Sequence, residues 1–192
     1  MKNEEPVEHE GKLFEKIDFR EKTVEGRKFM ECTFKNCQLN MLVFKDCTFT
    51  DCIFDSCDLS LIKVKGSFFN RIQIIGCKAI GIHWFDTGSP FAINFTDSNI
   101  SYSSFFGKAL KKAKIKNCVA KEVDFSDTNL TEADFNGTDL ENSRFSNCDL
   151  SLANFKEARN YSVDLVHNKM RKTKFSLPEA LSLLNQFDIV IE

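Results

Sequence analysis

Large hydrophobic side chains recur along this chain at every fifth residue. Stepping by five from Phe14 gives Phe19, Val24, Phe29, Phe34, Leu39, Phe44, Phe49, Phe54, Leu59, Val64, Phe69, Ile74, Ala79 and Trp84. The register then slips by one residue and resumes at Phe95. It continues through Ile100, Phe105, Leu110, Ile115, Ala120, Phe125, Leu130, Phe135, Leu140, Phe145, Leu150 and Phe155. Every one of these central positions is hydrophobic, and 14 of the 20 Phe lie on them. A second position, two residues before each centre, holds all eight Cys: Cys32, Cys37, Cys47, Cys52, Cys57, Cys77, Cys118 and Cys148. Elsewhere it holds mostly Ile, Ala, Ser, Thr, Val or Leu.

Neither regular period accounts for this. Five residues of an α-helix advance about 500°, so the large side chains would wander around the axis. In a flat strand, an odd step sends alternate members to opposite faces. The pattern fits a chain that turns a corner every five residues and points two residues per side inward. Successive coils then stack through backbone hydrogen bonds at about 4.8 Å, the ordinary inter-strand spacing. At about 2–3 kcal/mol for each buried Phe, such a core is sufficient without disulfides.

The units Ala133-Asp134-Phe135-Asn136-Gly137, Ser143-Arg144-Phe145-Ser146-Asn147 and Ala153-Asn154-Phe155-Lys156-Glu157 resemble the pentapeptide repeat family. The resemblance spans residues 12–159. It implies an all-β fold, a right-handed quadrilateral β-helix of about seven coils with four units to a turn. Lys12, Lys22 and Arg27 stand at the inward small-residue position, so the first coil is expected to be an irregular cap. Residues 1–11 are expected to be a disordered polar tail.

The slip falls at 85–94, around Phe85-Asp86-Thr87-Gly88-Ser89-Pro90-Phe91, where Gly and Pro mark a turn. Phe85, Ser89, Pro90 and Phe91 are candidate contacts if this turn projects. A bulge absorbed by the coil is the favoured reading, since one extra residue projects little. Beyond Phe155 the repeat fades into a polar linker, 160–174, with basic Lys169, Arg171, Lys172 and Lys174. A short C-terminal α-helix follows at 177–187. Its signals are Ser176 as N-cap, Glu179 completing a capping box, and Pro178 in the first turn. Asp188 to Glu192 reads as a terminal strand. The apolar Leu177, Leu181, Leu183, Leu184 and Phe187 form a candidate homodimer interface, and part of that stripe must also cover the last coil.

Charge adds one feature. The net charge is −2, which selects neither nucleic acid nor an anionic membrane as direct partner. Residues 108–121 nevertheless hold six Lys and no acid, and the next coil's length holds seven acids and no base. Glu122, Asp124, Asp127, Glu132, Asp134, Asp139 and Glu141 are the candidate acidic partner-binding surface. A step of 20 residues sets Lys112 over Glu132, Lys114 over Asp134 and Lys121 over Glu141, which blunts it.

Enzymatic readings find little support. Zinc sites want closely paired ligands, and no Cys-x2-Cys pair occurs. Cys at a fixed repeat position is read instead as a small hydrophobe, so a Ser at Cys57 is expected to bury a hydroxyl at a cost. His9, His83 and His167 suggest no nucleophile–base pair. No catalytic residue, metal or cofactor is assigned. The polar N-terminus and the lack of a long apolar run imply a cytoplasmic protein with reduced thiols.

The C-terminal module is similar to that of the quinolone-resistance and microcin-immunity members of the family. That resemblance implies a dimeric, bacterial, DNA-mimicking rod that protects DNA gyrase. A scaffold for an unrelated protein partner is the rival reading.

Overall fold

The computed structural model describes residues 7–187 and 189. The chain winds into a four-sided parallel β-helix. On the first side His9, Phe29, Phe49 and Phe69 stack in register. The second side carries Phe14, Phe34, Phe54, Ile74, Phe95 and Ile115. On the third, bridges run from Asp18 through Gln38, Asp58, Lys78, Asn99, Val119 and Asp139 to Arg159. On the fourth, Val24 pairs with Phe44, and further bridges join Val43 to Lys63 and His83 through Ser104 and Asp124 to Arg144. Most strands are only three residues long, because each side has five residues and two are spent on the corner.

Stacking at strand spacing sets the core. Phe rings one coil apart lie nearly parallel, with centroids 4.7 Å apart for Phe34 and Phe54 and 4.8 Å for Phe29 and Phe49. This is the inter-strand distance imposed on side chains. The second inward position is also hydrogen-bonded from coil to coil. The Cys47 N–H donates to Ser67 Oγ at 3.0 Å, and that hydroxyl donates to the Phe44 carbonyl at 3.0 Å. Thr138 bridges Cys118 N–H and the Ile115 carbonyl in the same way. Cys57 does so with sulfur, accepting from Cys37 N–H at 3.3 Å and donating to the Phe34 carbonyl at 3.3 Å. Polar residues are admitted to the core because the solenoid leaves one donor and one acceptor open at each such site.

The ends extend past the repeat read from sequence. Glu8–Glu10 is a strand paired with Lys28–Met30, so the tail expected over residues 1–11 is part of the first coil from Glu8 onward. Residues 1–6 lie outside the described residues. Lys12 and Lys22 turn their side chains out to solvent, which leaves Phe14, Ile17 and Val24 half-buried, as an irregular first coil requires. At the other end, the expected linker is largely another coil. Lys169 bridges to Asp149 and Lys174 to Asn154, with Phe175 stacked on Phe155 at 5.2 Å. Asn168 and Thr173 fill the small-residue sites: Asn168 accepts from Cys148 N–H at 2.8 Å and donates to the Phe145 carbonyl at 3.0 Å.

The C-terminal helix is a 3₁₀ helix, Glu179–Gln186, rather than an α-helix over 177–187. The expected terminal strand, Asp188 to Glu192, falls almost entirely outside the described residues. Among those residues, no helix is long and apolar enough to cross a membrane.

Candidate interaction surfaces

The capping box does not form. Ser176 Oγ accepts from the Glu157 N–H at 3.0 Å, and Glu179 Oε1 accepts from the Asn160 N–H at 2.5 Å. Ser182 Oγ donates to the Tyr161 carbonyl, and Gln186 Oε1 accepts from the Leu165 N–H. These partners are 19 to 21 residues apart, close to one coil, so the polar face of the 3₁₀ helix replaces the next coil's backbone. That geometry explains why the residues read as a helix cap point elsewhere. It also settles the apolar stripe: Leu183 packs on the core, Leu184 is half-buried, and Leu177, Leu181 and Phe187 are exposed. Val166 is exposed as well.

The seven acids encircle the rod rather than forming one face. Glu122, Asp127 and Glu132 sit at three different corners, as their left-handed backbone shows. Asp124, Asp134 and Asp139 lie on three different sides. Most are engaged. Lys121 holds Glu141 at 2.5 Å and Lys112 holds Glu132 at 3.6 Å, as the 20-residue step predicts. Asp134 is approached by Lys116 at 3.9 Å rather than by Lys114, and it accepts from Asn154 Nδ2 at 2.7 Å. Asp124 caps its own corner through the Ser126 N–H. Asp139, read from sequence as outward, is buried. It accepts from Asn160 Nδ2 at 2.8 Å, with Arg159 Nε at 3.6 Å. Among the described residues, Glu122 and Asp127 are exposed and make no ion pair.

The slip at 85–94 is taken up in two steps. Phe69 pairs with Phe91 but Ile72 pairs with Ile93, so two extra residues enter the turn and a bulge returns one. Trp84–Asp86 forms a 3₁₀ turn. It is tied below by the Gly88 N–H to the Ser67 carbonyl at 2.9 Å, and above by Lys108 Nζ to the Thr87 carbonyl at 2.6 Å. Lys108 Nζ also lies 5.1 Å from the centroid of the Phe91 ring, and burial lowers its pKa. Phe91 therefore belongs to the wall, whereas Phe85, Ser89 and Pro90 remain exposed.

Against protein families, a model described as "Pentapeptide repeats (8 copies)" matches over residues 28–66, 110–147 and 138–176. The chain belongs to the pentapeptide repeat family. The unmatched stretch 67–109 contains the slip, and the unmatched start contains the cationic inward residues. A curated relative, the quinolone resistance pentapeptide repeat protein QnrB96 of Scandinavium goeteborgense, is 29% identical over 121 residues. That match spans 55% of this chain and 54% of QnrB96, about half the length of each. Two trypsin-treated variants of QnrB1, a plasmid-mediated fluoroquinolone resistance protein, share the fold with a TM-score of 0.53. They are 22% and 21% identical, and each comparison covers 97% of this chain and 98% of the other. The pentapeptide repeat chain is thus related to Qnr quinolone resistance proteins.

Proposed function

We propose that this pentapeptide repeat protein is a non-enzymatic binding rod that engages DNA gyrase or a related topoisomerase. In this reading it acts in the bacterial cytoplasm and protects the enzyme from quinolones or a gyrase toxin. The observation that carries the proposal is the sequence relationship to a quinolone resistance pentapeptide repeat protein. The exposed Leu177, Leu181 and Phe187 support a homodimer joined at the C-terminal ends, where a two-fold axis lets one apolar patch bury itself against its copy. Phosphate imitation, if it operates, rests on the unpaired Glu122 and Asp127 more than on the whole acidic coil.

A scaffold for an unrelated protein partner is the second reading. The lysines held against Glu132 and Glu141 favour it, since they quench the field that would compete with DNA. A supercoiling assay separates the two. Titrated protein should relieve inhibition of gyrase by a fluoroquinolone, and less so as salt rises. No effect on gyrase at a large molar excess, with or without the drug, leaves the scaffold reading standing alone.

A further inference from the structure

The corner between the third and fourth sides is unlike the others. Apart from the slip at 85–94, the corners of the repeat run through a left-handed residue, a backbone that crowds the Cβ of an L-amino acid. Elsewhere along the described chain that residue is almost always polar or Gly. The apolar left-handed residues are Met41, Leu61, Tyr102 and Leu152, and the first three share this single corner. Their φ values are 60°, 59° and 62°, and they are 47%, 52% and 58% exposed. Gly81 occupies the coil between Leu61 and Tyr102. A Cβ added there would lie 2.7 Å from Leu61 Cδ2, so glycine leaves room for the leucine to lie along the corner toward the next coil. The result is a continuous apolar ridge spanning four coils. Core packing does not require it, because these side chains point away from the core.

The neighbouring fourth side supplies charge of one sign. Its outward residues in these coils are Val43, Lys45, Lys63, Lys65, His83, Phe85, Ser104 and Phe106, with no acid among them. Lys45 is held by Glu25 at 2.6 Å. Lys63 and Lys65, and Lys78 across the ridge on the third side, are exposed and make no ion pair among the described residues. The His83 and Phe85 rings stack at 5.3 Å, and Phe85 and Phe106 are 44% and 49% exposed. Acids border the ridge as well: Glu21 and Glu122 hold the same corner one coil before Met41 and one coil after Tyr102, Asp58 accepts from the Ser60 N–H at 2.9 Å, and Asp46 and Asp86 lie towards the far edge of the side.

We propose that the ridge of Met41, Leu61 and Tyr102, with the lysines beside it, is a docking surface for an acidic polypeptide segment that carries apolar anchors. Charge complementarity selects an anionic partner, and the aliphatic ridge selects a peptide over a nucleic acid, whose affinity comes mainly from phosphate contacts. The surface borders the acidic coil where Tyr102 gives way to Glu122 and Ser104 to Asp124, but its own residues are not those acids, so it stands whether or not gyrase is the target.

Three probes test it on the full chain at low salt: a random copolymer of glutamate and tyrosine, poly-glutamate of equal length, and an oligothymidylate. The copolymer should bind about tenfold tighter than poly-glutamate. Met41→Asn with Leu61→Asn should reduce it to the poly-glutamate level. Asn tolerates left-handed backbone, so the melting temperature should hold or rise; if the double variant is unstable, Tyr102→Asn makes the same test. Lys63→Gln with Lys65→Gln should weaken both acidic probes and flatten their salt dependence. Three results overturn the proposal: no copolymer binding, equal copolymer affinity for wild type and the Asn variants, or oligothymidylate displacing the copolymer.

Discussion

Cys57 shows how the solenoid treats a single residue. Among the described residues its thiol is the sole hydrogen-bond partner of the Cys37 N–H, and it donates in turn to the Phe34 carbonyl. Ser67, Ser143 and Thr138 fill equivalent sites with both bonds made. The cost expected from sequence for burying a Ser hydroxyl at Cys57 is therefore offset by the two bonds that the site offers it. Cys57→Ser should cost less than about 1 kcal/mol, whereas Cys57→Val strands the Cys37 N–H and should cost about 1–3 kcal/mol. Urea titration of the two variants checks the order. Burial also pushes the Cys118 thiol up to about 12 and the Cys52 and Cys148 thiols to about 11. A thiol that ionises more readily unfolded than folded stabilises the fold fully below its unfolded pKa and loses that contribution as pH rises through the folded value. The urea midpoint should therefore fall between about pH 9 and 12, and less steeply in Cys118→Ser. Identical slopes in the two proteins would remove the thiol from the account. That Cys lie at the inward position was legible from their spacing. Their bonds were not, because a hydrophobic reading of Cys does not reveal the donor and acceptor that the coil leaves open.

The C-terminal 3₁₀ helix is the element on which the sequence reading was least accurate. Ser176, Pro178 and Glu179 carry the local signature of a helix start, yet Ser176 and Glu179 answer to backbone groups one coil below. Local pattern could not show this, since the competing donors lie about twenty residues back. For the same reason Asn168, Met170 and Thr173 concealed a further coil. They depart from the consensus, but Asn168 makes the bonds that Ser makes elsewhere. The exposed and inward sides of this element separate two effects. Leu183→Glu should lower the melting temperature, because Leu183 packs on the core. Leu177→Glu with Leu181→Glu should leave melting almost unchanged and halve the sedimentation mass. If the wild type itself sediments as a monomer at micromolar concentration, the helix is a cap and nothing more.

At the scale of the whole molecule, period five disclosed the corners and a stacked core, and the family resemblance implied four sides, but neither showed how charge would be distributed around them. Asp139 shows the difference. Its place in the repeat marks it as outward, yet Asn160, Arg159 and Lys121 enclose it. Asp139→Asn should therefore destabilise the rod by about 1–3 kcal/mol. Glu122→Gln with Asp127→Asn should leave stability within about 0.5 kcal/mol of wild type. If phosphate imitation drives gyrase binding, that double variant should abolish the effect on supercoiling, and full activity in it would exclude imitation by this coil. A last consequence belongs to inheritance rather than to energy. Partners across coils are 20 residues apart both below and above the slip, as Phe34 with Phe54 and Asn129 with Asp149 show. The columns pass through the slip without rotating, so Ile74 still meets Phe95. A duplication or deletion of twenty codons would therefore lengthen or shorten the rod and return every surface to its own side. Gene length in such a protein is a dial for reach, one that selection can turn without rebuilding any face.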